Sequence, residues 1–266
     1  MAKKNEALKT IVVAGVLCIV CSIIVSAIVV TLRPQQKKNA EIDYKKNILL
    51  SAGLMEKGAD VEEAFEKIET VLVNFETGKI VKSNQVEAVE NLKNFVQNKA
   101  ATDPTRSIDI PGSEDVAGLG RRSKFAKVFL TRDEDGKPST IILNIRSKGL
   151  WSTMLGFIAL ESDAKTIKGF AYYSHGETPG LGGEVDNPSW KKQWIGKSIY
   201  DEEFNVEFEV VKGSVNKSAS NLMAQYQVDG LSGATITANG VSDSIKYWFG
   251  SNAYKKFLSN VRSGDI

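Results

Sequence analysis

The sequence predicts an α+β domain carried behind a single membrane-spanning helix, and three features predict it. Residues 10–32 form an uncharged apolar run, strand-like segments broken by turn residues follow from 121 onward, and apolar residues return to helical spacing near the C-terminus. With 266 residues, 42% of them hydrophobic and 25% charged, the chain has material for one main domain plus appendages.

The run TIVVAGVLCIVCSIIVSAIVVTL is 23 residues long, which as a helix spans about 34 Å and suffices to cross a bilayer. It exceeds the apolar core of a cleaved signal peptide and ends Val29-Val30-Thr31-Leu32-Arg33-Pro34 rather than in a small-residue cleavage site, so a retained single-pass anchor in the lipid bilayer is expected. Pro34 is expected to stop the helix and mark the exit. Residues 1–9 form an N-terminal tail. Lys3, Lys4 and Lys9 precede the span while Arg33, Lys37 and Lys38 follow it, so charge alone leaves the orientation open.

Residues 33–120 read as a connector and helical region. Positions 35–46 are a polar connector or the start of a helix running through Ile48-Leu49-Leu50 towards Gly53. Asp60 and Glu63 form a capping-box pattern ahead of Ala64, Phe65, Ile68, Val71 and Leu72, which predicts a helix. Another is expected over 86–95, and 101–120, with Pro104, Pro111 and several glycines, reads as loop. Residues 121–266 form the main α+β domain. Phe125–Arg132 and 139–146 flank the charged turn Asp133-Glu134-Asp135-Gly136-Lys137 as a hairpin. Further strands are expected at 156–160, 167–173 and 204–211. Val241, Ile245, Trp248 and Phe249, then Tyr254, Phe257, Leu258 and Val261, predict two helices behind an antiparallel sheet.

Composition excludes several functions. A net charge of +2 offers no basic field for nucleic acid. The two cysteines, Cys18 and Cys21, lie inside the apolar run, where they read as small apolar residues, and the chain has one histidine. Cysteine-ligated clusters and the usual zinc or haem sites are therefore disfavoured in the remainder, and redox work there needs an imported cofactor. Neither Gly118-Leu119-Gly120 nor Gly180-Leu181-Gly182-Gly183 completes a dinucleotide fingerprint, and no phosphate-binding loop spacing occurs, so direct NADH or ATP binding is not expected.

Two segments call for more than turn chemistry: His175-Gly176-Glu177-Thr178-Pro179-Gly180-Leu181-Gly182 and Asp229-Gly230-Leu231-Ser232-Gly233-Ala234-Thr235-Ile236-Thr237. The second opens a predicted amphipathic helix, whose free amides and dipole favour an anion, so a phosphate held at Thr235 would sit in a stabilising field. A plain capping role for Thr235 or Thr237 is the competing reading.

Asp229, Ser232, Gly233, Ala234 and Thr235 resemble the flavinylation motif of FMN-binding domains, in which the last threonine is joined to FMN through a phosphoester. The stretch Glu177-Thr178-Pro179-Gly180-Leu181-Gly182 is similar to their second signature. Across the whole chain the resemblance is to the C subunits of bacterial sodium-translocating NADH:quinone reductases. It includes Leu32-Arg33-Pro34, Gln36-Lys37-Lys38-Asn39, Lys46-Asn47-Ile48-Leu49, Ala52-Gly53-Leu54, Gly149-Leu150-Trp151-Ser152 and Gly182-Gly183-Glu184-Val185. The G subunits of the related Rnf complexes share the anchor and the threonine-linked FMN but look less similar across 32–54.

The resemblance implies covalent FMN at Thr235, with amides around Ser232, Gly233, Ala234, Ile236 and Thr237 contacting the phosphate and the loop of Glu177, Thr178, Gly180, Leu181 and Gly182 close to the flavin. Leu150 and Trp151 are expected to pack against the ring, with core packing the alternative for each. Glu177 or Thr178 is expected to hydrogen-bond the ring edge or ribityl chain, or else to stabilise the turn. His175, an imidazole without an evident partner, is expected at the surface beside the loop, and Glu184 as a solvated loop charge. The resemblance further implies an electron relay within a membrane complex, with the other membrane subunits as partners. It also implies a flavin transferase during maturation, a bacterial inner-membrane location, and a periplasmic domain over 33–266 with residues 1–9 cytoplasmic.

Overall fold

The computed structural model describes residues 2–55, 58–81, 92, 95–216, 218 and 222–266. The chain divides into two compact units, residues 1–44 and 45–266.

The first unit is helix. Helix α1 spans Ala2–Ser51, and the apolar side chains from Ile11 to Leu32 are exposed, as suits a segment whose solvent is lipid. It is the one helix among the described residues long and apolar enough to cross a membrane. The expected stop at Pro34 does not occur, and the helix passes through it. Proline removes one backbone bond, to the carbonyl four residues back, while its neighbours retain theirs. The Gln, Lys, Ala and Glu residues that follow are good helix formers, and Gln35 Nε2 donates to Asn39 Oδ1 at 2.9 Å across one turn. Of the two readings for 35–46, the helical one holds. The last turn belongs to the second unit, where Ile48 and Leu49 are fully buried, and Gly53 at φ +66° follows its end.

In the second unit, Asp60 caps α2 (Val61–Phe65), accepting from the amides of Glu62 at 2.8 Å and Glu63 at 3.2 Å. The helix expected to continue through Val71 and Leu72 instead gives way to strand β1 (Glu69–Asn74) and its hairpin partner β2 (Lys79–Val81). Short apolar runs carry ambiguous periodicity, and here Thr-Val-Leu-Val pairs on its other side with a long neighbouring strand, so the sheet decides. The helix expected over 86–95 lies almost wholly outside the described residues. Helix α3 (Gln97–Thr102) follows, and the expected loop at 101–120 contains strand β3 (Ser107–Asp109), paired with β4 (Arg121–Ser123).

Strands β5 (Phe125–Arg132), β6 (Pro138–Lys148), β7 (Thr153–Glu161) and β8 (Ile167–Ser174) complete an antiparallel sheet in the order β2-β1-β5-β6-β7-β8. The charged turn closes as expected, with Asp133 N–H donating to the Lys137 carbonyl at 2.9 Å and Gly136 at φ +77°. Beyond the sheet come a 3-10 turn (Gly182–Asp186), α4 (Pro188–Lys192) and the two-residue parallel pair β9 (Glu209–Val210) and β10 (Gln227–Val228). The strand expected over 204–211 thus shrinks to β9. Helices α5 (Thr235–Trp248) and α6 (Lys255–Ser263) end the chain as the helical spacing predicts.

Strand alternation sends Val128 and Leu130, Ile141, Leu143 and Ile145, and Ile158 and Leu160 into one core with Val241, Ile245 and Trp248 of α5. The opposite face carries an edge-to-face and stacked ring series, Phe65, Phe129, Phe157 and Tyr173. Burial pushes the Tyr173 phenol up to about 12. Helix α5 is pinned along β6 by Ser244 Oγ and Trp248 Nε1, which donate to the Arg146 carbonyl at 3.1 and 2.8 Å, and just ahead of α6 Tyr254 Oη donates to the Asn144 carbonyl at 2.8 Å. A Cβ on Gly240 would run into the Lys148 carbonyl, so glycine is what lets the helix lie this close. That contact places the start of α5 beside the β6–β7 turn.

Candidate functional site

The β6–β7 turn is the four-residue stretch 149–152, closed by Gly149 N–H donating to the Ser152 carbonyl at 2.8 Å. Its amides converge on one carboxylate. Glu177 Oε1 accepts from Trp151 N at 2.9 Å and Ser152 N at 3.1 Å, and Oε2 accepts from Leu150 N at 3.1 Å and from Thr237 Oγ1 at 2.7 Å. Glu177 is 5% exposed. Burial pushes its carboxyl up, but the Thr237 hydroxyl and the amides of Trp151, Leu150 and Ser152 outweigh that and hold it below its ordinary value of 4.5. One buried charge therefore ties together the β6–β7 turn, its own loop and the first turn of α5.

Glycine is required around this carboxylate for space. A Cβ on Gly149 would strike the Glu177 carboxylate, and one on Gly182 would sit 2.6 Å from Glu177 Oε2 and 2.8 Å from Thr237 Oγ1. The Glu177 loop turns tightly, with the amides of Leu181 and Gly183 donating to the Thr178 carbonyl at 3.1 and 2.9 Å. The hydrogen bonds of Glu177 hold the β6–β7 turn to its own loop.

Thr235 is the first residue of α5 and is exposed. Among the described residues its hydroxyl has no hydrogen-bond partner, and Ala234, at the cap position, offers no side-chain acceptor. The capping reading therefore fails for Thr235, and Thr237 is turned inward to Glu177. Ser232, Gly233 and Ile236 are exposed beside it, Gly233 adopting φ +70°, and Leu181 Cδ2 lies 3.0 Å from where a Gly233 Cβ would stand. The structure thus brings Leu181 and Gly182 against Gly233 and Thr237, with Gly182 and Thr237 buried beneath the exposed Leu181 and Gly233 and with Thr178 and Gly180 on the outer turn.

Leu150 at 51%, Trp151 at 70%, Leu181 at 45% and Ile236 at 60% are large apolar side chains left exposed on these loops. Core packing is therefore excluded for Leu150 and Trp151. An unbonded hydroxyl among free helix amides suits a phosphate, and exposed apolar side chains nearby suit a planar aromatic system, so the residues present fit FMN.

Asp229 is placed differently. Its oxygens accept from Val215 N at 2.7 Å and Gln193 Nε2 at 3.0 Å, its amide donates to Gln193 Oε1 at 3.0 Å, and its carbonyl accepts from Trp190 Nε1 at 2.7 Å. It anchors the entry to the motif from behind. Gln193 and Trp190 carried no sequence signal for this role. His175 is corrected as well. Its side chain is 14% exposed, its Nε2 lies 2.8 Å from Asp186 Oδ2, and its Nδ1 accepts from Glu177 N at 3.2 Å. The partner that the sequence did not reveal sits 11 residues away on the 3-10 turn. Glu184 is half-buried rather than freely solvated and accepts from Asn187 Nδ2 at 2.7 Å. Ser152, which accepts from Gly176 N at 2.7 Å through Oγ, was also missed.

The chain matches the FMN-binding domain family over residues 149–250, a stretch that contains every loop just described. It is 40% identical over 269 residues to the C subunit of the Na(+)-translocating NADH-quinone reductase of Pseudomonas aeruginosa, covering 100% of both chains. It is 42% identical over 268 residues to the protein of the same name from Vibrio alginolyticus, again covering 100% of both. Among solved structures, NqrC of Shewanella oneidensis superposes with a TM-score of 0.74 at 32% identity, covering 85% of this chain and 99% of that one. The C subunit of the Parabacteroides distasonis reductase gives 0.63 at 30% identity, covering 86% and 97%. A whole-length likeness of this strength, on a domain whose glycines and carboxylate build the matched surface, means that the chain belongs to the family of C subunits of the Na(+)-translocating NADH-quinone reductases.

Proposed function

We propose that this chain holds FMN through a phosphoester to Thr235 and serves as an electron relay between other redox centres of a sodium-pumping NADH:quinone reductase. The observation that carries the proposal is the exposed, unpartnered Thr235 hydroxyl at the start of α5, on a surface built by the Glu177 carboxylate. When bound, the flavin ring supplies the electron chemistry.

The chain's own residues attach and orient. Amides of the first turn of α5, together with those around Ser232 and Gly233, would hold a phosphate on Thr235, in the positive field of a 14-residue helix. Glu177 acts from beneath, holding the β6–β7 turn so that Leu150 and Trp151 stay presented, while Thr178, Gly180, Leu181 and Gly182 form the neighbouring wall. The anchor and the family support a role in a membrane complex with the remaining subunits as partners, and in the proposed reading a flavin transferase acts during maturation. In the proposed topology residues 1–9 are cytoplasmic and the domain is periplasmic.

Denaturing electrophoresis under ultraviolet light tests the linkage: a fluorescent band in the wild type that disappears in Thr235→Ala is expected. Mass analysis of the peptide covering 230–246 should show an increase equal to FMN minus water. An unmodified peptide from protein matured with its transferase would overturn the reading and leave a membrane-tethered binding domain.

A further inference from the structure

A cavity of about 500 Å³ lies away from the Thr235 surface, lined by Gly53, Leu54, Ala64, Lys67, Thr131, Arg132, Ser139, Thr140 and Lys168. This size falls within the usual range of small-molecule sites. Its polar side chains are almost all donors. Lys168 Nζ donates to Thr140 Oγ1 at 2.9 Å, which leaves that hydroxyl its own proton, and Thr140 is 1% exposed. Thr131 Oγ1 and Ser139 Oγ lie 2.7 Å apart, so one of the two protons remains free.

Arg132 spends Nε on Glu69 at 2.6 Å and Nη1 on the Gly136 carbonyl at 2.8 Å, keeping Nη2 unengaged among the described residues. Lys67 has no acidic partner among the described residues. Among the described residues the carboxylates paired with these cations are Glu69, committed to Arg132, and Glu161, 3.8 Å from Lys168. Among the described residues, three cations and three hydroxyls thus line a space with two paired carboxylates at its margin. An acceptor-rich anion suits such a donor excess, and guanidinium, ammonium and hydroxyl groups together match phosphate oxygens. Leu54 and Ala64 add an apolar wall for the carbon side of an ester.

We infer that this cavity binds a phosphate ester, distinct from the group held at Thr235. The ester comes either from an anionic lipid headgroup or from a soluble metabolite, and the test separates the two. The full chain in neutral detergent is titrated calorimetrically with inorganic phosphate and with glycerol 3-phosphate, and native mass spectrometry follows phosphatidylglycerol against phosphatidylcholine. Saturable binding of glycerol 3-phosphate supports a soluble ester; retention of phosphatidylglycerol but not phosphatidylcholine supports a headgroup.

In either case Lys67→Glu, a change at an exposed side chain, should weaken binding about tenfold, as expected for loss of a charge-assisted hydrogen bond. Lys168→Gln should do likewise, and Thr235→Ala should leave binding unchanged. Absence of binding by all probes overturns the inference. So does binding indifferent to both lysine changes, or binding abolished by Thr235→Ala, which would assign it to the flavin surface.

Discussion

At the scale of single residues the site turns on a carboxylate that its loop conceals. Replacing Glu177 by Ala strands three amides and the Thr237 hydroxyl, and should cost about 1–3 kcal/mol in denaturant unfolding while lowering flavin attachment. Because its folded pKa lies below 4.5, Glu177 contributes stability that is full at neutral pH and lost as pH falls through that depressed value. The melting temperature of the wild type should therefore drop below pH 4.5 by more than that of Glu177→Gln, and parallel curves would refute the assignment. The sequence could single out Thr235 as the proposed attachment residue because the motif is linear and sits before a helical pattern, which the structure shows as α5. The partners of Glu177, Asp229 and His175 were not legible. Glu177 meets Thr237 across 60 positions and Asp229 meets Gln193 across 36, and one-dimensional spacing carries no record of contacts that only the folded sheet creates.

At the scale of elements, the docking of α5 on β6 sets where Thr235 stands. An alanine in a helix interior ordinarily stabilises by about 1 kcal/mol over glycine. At Gly240 the sign should reverse, because the obstructing atom is the backbone carbonyl of Lys148 and cannot swing aside. Gly240→Ala should destabilise by about 1–3 kcal/mol in chemical denaturation, and a stabilised variant would show that the helix rides higher than described. Legibility followed the strength of the local pattern. The hairpin around Gly136 and both C-terminal helices were readable because turn chemistry or a long amphipathic repeat specified them. Strand β1 was misread as helix because its short apolar run fits either period and its long partner, β5, lies far along the chain. Strand 204–211 failed in the opposite way: its apolar residues fill the core from irregular backbone, with Phe208 fully buried and only Glu209 and Val210 in a ladder.

For the whole molecule, the division at residue 45 makes a separable prediction: residues 45–266, produced without the preceding segment, should be water-soluble and melt cooperatively by circular dichroism. A non-cooperative melt would show that the apolar helix is needed for folding. The turn at 149–152 has a further consequence in time. Loop amides at a surface normally trade their hydrogens with water within moments, yet those of Leu150, Trp151 and Ser152 are bound to a buried acceptor supplied 25 to 27 positions later. Deuterium labelling should find a slow island there, out of step with the exposed turn at Gly136. Its opening rate would report how often the molecule loosens its grip around the Glu177 carboxylate, independently of whether the sheet beneath has come apart.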